Sequence, residues 1–526
     1  MRKVLLYICS VFILGGMTSC EDFLDKREDV GLTEDDIFRD YYSLRGFLDQ
    51  SFNQLENVMV MDNWENGRAF VGLFADEMAT TDNSSAVFTL HSGNWLSNAK
   101  SNKTFEIGNA GSTAISRSYK ALRINNRIIN DIDKAPLTPE QKNEILGQAY
   151  FYRSWFYFQI IKRYGGMPII DKVFEGGDDD IPRMTYHESH DWMMEDIQKA
   201  IYMLPDSWDD PNYGRPTKIA AMALKEWAQL FDASPLMQND LNSTENKGYD
   251  TERAKSAAKS AYEVIRYMDG SKSAPYPYGL ASKEEYTNVF YFKYPPVHQP
   301  EYIWVKRQFP NAANQNQKRT IRTFWQYEDL AFGSGPDGNS MCCPSLNIVN
   351  MFDKKGADGI YYPIDDPRSG YALDYDHKPF EDRDPRFYNN ILLPGTTWGH
   401  YADGRTYYIT TYKGGAAYQH MLTQKDCNKR MFTGFMCKKF MWPECNQYLE
   451  KNNPNCWWDY RFLTIYIRAS QIYLDYAEAL FEGCGSATAT IEGCPISAAE
   501  AINILRRRIG LTDLPSDIVA DPDKFR

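Results

Sequence analysis

Two segments of the chain combine aromatic rings with hydrogen-bonding side chains, and this combination suits the recognition of sugar rings. A sugar presents a flat face of C–H groups that an aromatic ring can cover, and hydroxyls that amide and guanidinium groups can bind. The candidate residues are Asn94 and Trp95 in the first segment, Arg322, Trp325, Gln326 and Tyr327 in the second, and Trp398 as a third, separate candidate. For each aromatic residue the alternative interpretation is packing in a core.

Motifs of common catalytic sites are absent from the sequence. It contains no His-Glu-x-x-His, no Gly-Lys-Ser/Thr phosphate loop and no Gly-x-Ser-x-Gly elbow. His187 and His190 are three residues apart, but a solvated or helix-capping role is favoured over metal binding. The acidic runs Asp178–Asp180 and Asp365-Asp366 would support glycoside hydrolysis only if two carboxylates faced each other across a cleft. We therefore predict no catalytic residue, no metal ion and no cofactor.

The charge balance restricts the partners. The chain has 70 acidic and 58 basic residues, giving a formal net charge of −12. Nucleic-acid binding requires basic patches that neutralise phosphates, so we do not expect nucleic acid as a partner.

The N-terminus has the pattern of a secretory signal at residues 1–19. Arg2 and Lys3 precede an apolar run, Val4–Leu14, which reaches about 16 Å as a helix and is too short for a bilayer core of about 30 Å. The Met-Thr-Ser-Cys sequence that ends at Cys20 resembles a bacterial lipobox, which predicts lipidation of Cys20 and a membrane anchor. The alternative is an ordinary cleaved signal in which Cys20 is incidental. Eight further cysteines lie between Cys342 and Cys494, where export would permit disulfides, but the sequence assigns no pairing.

Apolar residues recur at helical spacing in four pairs of segments. A pair of this size cannot bury its apolar face alone and must stack on its neighbours, as in tetratricopeptide repeats. The predicted pairs are Thr33–Asn57 with Ser112–Asp133, Gln141–Arg163 with Tyr186–Leu204, Pro216–Ala233 with Thr251–Met268, and Leu463–Phe481 with Ser497–Ile509.

A long segment rich in Pro, Gly, Asn and Tyr separates the third pair from the fourth. It contains short strand-like runs such as Tyr302–Val305 and Tyr407–Thr410. We predict a mainly α protein with a helical scaffold at 20–268, a loop-rich insertion lobe at 269–460 and the fourth pair at 461–526. Irregular chain of this length inside a compact protein usually has a functional role. Trp155 and Trp227 lie on helical faces and are predicted to be core residues.

In order along the chain, a series of motifs resembles the SusD/RagB family of nutrient-binding outer-membrane lipoproteins. The matching segments are Cys20 with Phe23–Asp25, Phe74–Glu77 with Thr81–Asn83, Ala149–Arg153 with Tyr164–Pro168, Gly214–Lys218, Asp384–Phe387, Ile467-Arg468 with Tyr473–Ala479, and Ile502-Asn503 with Arg506–Arg508. The acidic residues after Cys20 also resemble the surface-export signal of Bacteroidota lipoproteins, although a solvated tether would have the same composition.

This resemblance implies a lipid-anchored protein on the outer face of the outer membrane. It implies capture of an oligosaccharide or polysaccharide and its delivery to a SusC-like TonB-dependent transporter, and it places ligand contacts near Trp95 and Trp325. Peptide capture by a RagB-like protein with the same transporter is the main alternative, and a surface glycoside hydrolase is a further one. Members of the family usually continue past Phe525-Arg526 with a segment that packs on the scaffold, so we expect exposed apolar surface there.

Overall fold

The helices of the scaffold are long, and most begin at a polar capping residue. The computed structural model describes residues 33–55, 75–79, 114–174, 180–238, 247–290, 299–307, 343–374, 378–400, 406–410, 412–415, 433–439 and 463–526. The helices before the insertion are α1 (Glu34–Ile37), α2 (Tyr41–Gln54), α3 (Ala114–Asp131), α4 (Pro139–Tyr164), α5 (Tyr186–Met203), α6 (Lys218–Ala233) and α7 (Thr251–Gly270). The later ones are α8 (Leu346–Asn350), α9 (Tyr371–Asp374), α10 (Pro385–Asn390), α11 (Ala469–Cys484), α12 (Ala498–Arg508), α13 (Ser516–Ala520) and α14 (Pro522–Phe525).

Within the described residues, four helix pairs stack into one continuous scaffold, which confirms the predicted fold class. The pairs are α2 with α3, α4 with α5, α6 with α7, and α11 with α12, and each pair packs on the next. Helix α7 packs directly on α11 although the whole insertion lies between them in sequence. The insertion therefore leaves the stack and returns to it without interrupting the packing.

Helix α4 is the centre of the scaffold. Thr138 and Gln141 form a capping box at its start, and Gly165, at φ 76°, ends it. Nearly every side chain from Ile145 to Ile161 is buried, as expected for a helix covered on all sides. A Cβ on Gly166 would collide with the backbone of Met184 and Thr185, so only glycine permits the chain to pass here.

The structure corrects two of the predicted helix bounds. The segment Thr33–Asn57 is not one helix, because Asp40 accepts a hydrogen bond from the Ser43 amide (2.8 Å) and starts α2 after a break. The predicted helix Leu463–Phe481 begins six residues later, at Ala469. Its first part, Leu463–Arg468, is a strand, which suits the β-branched residues Thr464, Ile465 and Ile467.

Short antiparallel strand pairs make up the sheet structure of the described residues. The strands are β1 (Met78–Ala79), β2 (Tyr302–Arg307), β3 (Cys343–Pro344), β4 (Lys354–Lys355), β5 (Tyr361–Tyr362), β6 (Ile391–Leu392), β7 (Thr397–His400), β8 (Thr406–Tyr408), β9 (Met436–Cys437) and β10 (Leu463–Arg468). They pair as β1 with β3, β2 with β10, β4 with β5, β6 with β9 and β7 with β8. The strand-like run predicted at Tyr302–Val305 is part of β2, and the run predicted at Tyr407–Thr410 overlaps β8 only at residues 407–408.

The β2–β10 ribbon roots the lobe in the scaffold through Trp304. The ring of Trp304 is 2 % exposed and lies within 5 Å, centroid to centroid, of Phe151, Trp155 and Tyr466. Its Nε1 donates to the carbonyl of Gly214 (3.2 Å). Trp155 is buried and Trp227 packs against the same core, so both predictions of core residues are confirmed.

The lobe has a small core of its own around Phe387. Phe387 packs with Val349, Phe352 and Ile391, and the guanidinium of Arg383 lies over its ring (4.8 Å). Arg383 is 1 % exposed and donates to the carbonyls of Val349 and Phe352 (both 2.7 Å) and of Pro379 (3.1 Å). A buried arginine with carbonyl acceptors thus holds irregular backbone that has no sheet to satisfy it.

Glu301 links the lobe to the last helix pair. Its fully buried carboxylate accepts from Arg468 Nη1 (3.0 Å) and from the Ala281 amide (3.2 Å), and it also pairs with Arg508 of α12. Ser470 Oγ also donates a hydrogen bond to the Glu301 carboxylate (3.3 Å). One acid therefore neutralises two arginines that come from different elements.

The structure describes four of the eight cysteines between Cys342 and Cys494. Cys437, Cys484 and Cys494 are free thiols. Burial raises the pKa of the Cys437 thiol to about 12, so this group stays protonated and unreactive at neutral pH. Cys343 belongs to β3, and the remaining cysteines lie outside the described residues.

Replacement of Glu301 by Gln should destabilise the fold strongly. The substitution keeps the shape but leaves Arg468 and Arg508 without a counter-charge, which we expect to cost about 3 kcal/mol of unfolding free energy. Glu500→Gln is the matched control, since Glu500 pairs with Arg507 at the surface (2.8 Å) and such pairs contribute about 0–1 kcal/mol. Chemical denaturation would measure both, and equal losses in the two variants would contradict the assignment.

Candidate functional site

Most of the predicted binding residues lie outside the described residues. Asn94 and Trp95 belong to 80–113, and Arg322, Trp325, Gln326 and Tyr327 belong to 308–342. Trp398 is in β7, for which the structure defines the backbone. Cys20 is outside the described residues as well. What the structure does define is the framework from which the two candidate segments depart.

Strands β1 and β3 bring the ends of these two segments together. The first candidate segment begins directly after Ala79, and the second ends directly before Cys343. In the antiparallel register Ala79 lies opposite Cys343, and Met78 lies opposite Pro344. Residues more than 250 positions apart are therefore neighbours, and both segments are attached to one ribbon, which we call the β1–β3 junction.

Side-chain contacts fix the junction beyond its two short strands. The Ser345 amide donates to the Glu77 carbonyl (2.9 Å), and Asn347 Nδ2 donates to Asp76 Oδ2 (3.2 Å). The hydroxyl of Ser345 also donates to the Asp76 carbonyl and caps α8 through the Ile348 amide (3.3 Å). Asp76 and Glu77, part of a motif that the sequence singled out, therefore have a structural role in the junction.

A cationic cluster lies behind the junction, around the ring of Phe290. Lys439 Nζ is 4.7 Å from the ring centroid and Arg468 Cζ is 5.0 Å from it. Burial, and then the positive charge of Arg468, lower the pKa of Lys439 to about 8. Lys439 follows β9, which contacts β3, and the charge of Glu77 in the junction opposes the lowering of the Lys439 pKa.

Asp178 and Asp179 lie outside the described residues, whereas Asp366, His187 and His190 have structural partners. Asp366 caps the turn at 367–369 and binds Arg368, whose hydrogen bonds lower the pKa of Asp366 and keep it ionised. His190 is 4 % exposed, so the predicted solvated role is wrong for it; burial lowers its pKa, and both His187 and His190 face the buried Asp232. Within the described ranges, no group of three or more His, Cys, Asp or Glu side chains is arranged to hold a metal ion.

A groove of about 850 Å³ lies between α11, α12 and the turns that end in Arg526. Its lining includes the apolar side chains of Leu474 (49 % exposed), Ile502, Ile518 and Phe525, together with the charged Arg506 and Glu478. It includes none of the predicted binding residues. Its lining contains no residue of the β1–β3 junction.

The fold defines the class of protein: a stack of helix pairs that carries an irregular lobe. Two family models match it: one described as starch-binding associating with outer membrane covers residues 22–226, and one described as the SusD family covers residues 300–524. The chain belongs to the SusD/RagB family. No helix among the described residues has both the length and the apolar composition needed to span a bilayer.

Solved structures share the fold. A SusD-like protein from Bacteroides fragilis is 23 % identical with a TM-score of 0.65, over 94 % of this chain and 83 % of that one. A SusD-like carbohydrate-binding protein from the same species is 19 % identical with a TM-score of 0.63, over 93 % and 82 %. A laminarin-binding SusD-like protein is 17 % identical with a TM-score of 0.52, over 90 % and 85 %. Comparison with curated proteins gave no match.

The pairing at the β1–β3 junction can be tested by cross-linking. Antiparallel partners have Cα atoms about 4.5–5.5 Å apart, which is within the range of a disulfide. We expect Ala79→Cys to form a disulfide with the native Cys343, detected by mass spectrometry of unreduced peptides. Met78→Cys is the control and should not form this bond, because successive strand residues point to opposite faces. Recovery of both Cys343 and the introduced cysteine as alkylated free thiols in folded protein would contradict the register.

Proposed function

We propose that the protein captures a glycan at the cell surface and presents it to a SusC-like TonB-dependent transporter without altering it. The observation that carries the proposal is the β1–β3 junction, which attaches the Asn94-Trp95 segment and the Arg322–Tyr327 segment to one point of the framework. Family membership and the carbohydrate-binding and laminarin-binding relatives support the same ligand class.

The chemistry of the candidate residues fits binding rather than turnover. Trp95, Trp325 and Tyr327 provide rings for the C–H faces of sugars, and Trp398 is a further candidate ring. Asn94, Arg322 and Gln326 provide donors and acceptors for hydroxyls. Stacking of this kind tolerates variation in the sugar, while the polar groups determine which hydroxyl orientations are accepted.

Anchoring and location complete the proposal. Lipidation of Cys20 would hold the protein at the outer membrane, and export would place it on the exterior face. An acidic chain of this size, attached by acyl chains, can then remain beside its transporter while its binding lobe samples the medium.

Single ring deletions should weaken glycan binding. We expect Trp95→Ala and Trp325→Ala each to reduce affinity by about 2 kcal/mol or more, which is roughly 30-fold, because stacked rings act as hot spots. Tyr202→Ala is the control, since Tyr202 is an 83 % exposed ring on the scaffold helix α5. Calorimetry against an oligosaccharide panel and a peptide panel would measure this. If the protein binds peptides and no sugar, the glycan assignment is wrong and the cargo is a peptide.

The transporter partnership predicts a specific co-purification. Tagged full-length protein extracted from outer membranes should recover a SusC-like TonB-dependent barrel. Cys20→Ala provides the control, because a chain without the acyl anchor should leave the membrane fraction and recover less of the barrel. If the anchored protein recovers no such barrel under conditions in which it still binds glycan, the delivery step is wrong although binding stands.

A further inference from the structure

Glu226 is a buried acid without a donor. It lies on α6, is 1 % exposed, and within the part of the chain that the structure describes neither carboxyl oxygen has a hydrogen-bond donor. An ionised carboxylate in such a position is costly, because it has lost its water and gained no compensating partner. Glu226 must therefore be neutral itself, or a side chain next to it must carry a proton that its carboxylate can accept.

A second acid, Asp475 of α11, acts on Glu226 across the contact between α6 and α11, through its charge and as a side-chain hydrogen-bond partner. Two ionised carboxylates are acceptors only and cannot form this bond, whereas one added proton converts the pair into a donor and an acceptor. This explains why the oxygens of Glu226 have no donor although a partner is adjacent.

The electrostatic surroundings favour the protonated pair. Burial, followed by the charge of Asp475, raises the pKa of Glu226 well above its usual value. Burial raises the pKa of Asp475 to about 7; Gln471, which donates to it at 3.1 Å, opposes the shift, and the nearby Glu478 adds to it. At neutral pH the pair therefore holds a proton that free carboxyl groups would release.

Many charged groups on the elements packed around the pair have other partners, and Lys259 and Arg266 of α7 are exposed. On α6 and α7, Lys225 pairs with Glu263 (3.8 Å), and Lys255 pairs with Glu252 (2.8 Å). The arginines of α12 and the remaining facing groups have the following partners: Arg506 binds Asp353, Arg507 binds Glu500 and Asp513, Arg508 binds Glu301, Lys162 of α4 lies over Trp227, His187 and His190 of α5 face Asp232, and Lys306 of β2 donates to the Leu55 carbonyl. None of these described groups replaces the proton as the partner of Glu226.

We propose that Glu226 and Asp475 share one proton and act as a pH-sensitive lock between the third and fourth helix pairs. With the proton in place, a hydrogen bond joins α6 to α11 across the insertion point of the lobe. Loss of the proton leaves two negative charges in the contact between α6 and α11, and their repulsion loosens this contact. Since α11 follows directly from β10, the lock also holds the ribbon that roots the lobe.

The direction of the pH dependence follows from proton linkage. In the unfolded chain both groups are ordinary carboxyls and release their protons near pH 4. The folded protein keeps a proton that the unfolded chain has released, so the free energy of unfolding falls as pH rises from about 4 through about 7. The raised pKa of Glu226 extends the loss to higher pH.

The test compares melting temperatures of the wild type and Glu226→Gln from about pH 5 to about pH 9. The amide of the variant donates to Asp475 without a proton, so the variant should gain on the wild type by roughly 2 °C per pH unit as pH rises. Glu195→Gln, which removes an exposed acid from α5, should run parallel to the wild type. A curve for Glu226→Gln that also runs parallel would overturn the proposal.

A spectroscopic measurement reports the proton itself. Infrared difference spectra at pH 7 should show the carbonyl stretch of a protonated carboxylic acid in the wild type and its loss in Glu226→Gln. If that variant does not fold, Asp475→Asn carries the same two measurements, because its amide can donate to Glu226. A wild-type spectrum at pH 7 with no protonated carboxyl band would overturn the proposal independently of stability.

Discussion

The contact of Trp304 with the scaffold is the interaction on which the arrangement depends. An insertion that departs after α7 and returns at α11 could swing freely about its two ends, since α7 and α11 pack together without it. The β2–β10 ribbon prevents this by placing Trp304 among Phe151, Trp155 and Tyr466. Burial of a ring of this size contributes several kcal/mol, enough to fix the root of a lobe that has little regular structure.

Gly214 and Glu301 also hold the lobe against the scaffold. The carbonyl that receives the Trp304 N–H belongs to Gly214, at φ 98°, and a Cβ there would lie 3.1 Å from the Val305 carbonyl oxygen. Only glycine accommodates both the backbone conformation and the close approach of β2. Beside it, Glu301 joins the ribbon to α12, so the lobe is held by an apolar contact and by a buried ionic one.

The sequence predicted the scaffold well because helix periodicity is a local property. The predicted helix Gln141–Arg163 nearly coincides with α4, whose N-cap Thr138 and C-cap Gly165 both lie within a few positions of it. The strand Leu463–Arg468 was mistaken for helix because its partner, Tyr302–Arg307, is far away in sequence, and only that pairing determines its conformation. The burial of His190 escaped for a related reason: its partner Asp232 lies on another helix, and no local pattern marks it.

The candidate site shows the same division between local and long-range information. Aromatic and polar patterning identified the segments around Trp95 and Trp325, but it gave no reason for them to meet. The β1–β3 junction brings one end of each segment together through two strands of two residues, which are too short to be visible in a pattern. Asp76 was the available signal, as an acidic residue in a motif, although its contact with Asn347 is structural.

The energetic contribution of such a small junction is necessarily modest, and this indicates what it is for. Fixing a long connection near its middle roughly halves the length of each free part. This lowers the free-energy cost of loop closure by only about 0.6 kcal/mol. A few hydrogen bonds add about 1 kcal/mol each. The junction therefore does little for folding, whereas it fixes the start of one candidate segment beside the end of the other. Pre-positioning of this kind reduces the ordering entropy that binding must overcome. A rigid helical stack with a weakly stabilised but well-placed junction thus meets the requirement of the proposed binding function for segments that are positioned in advance.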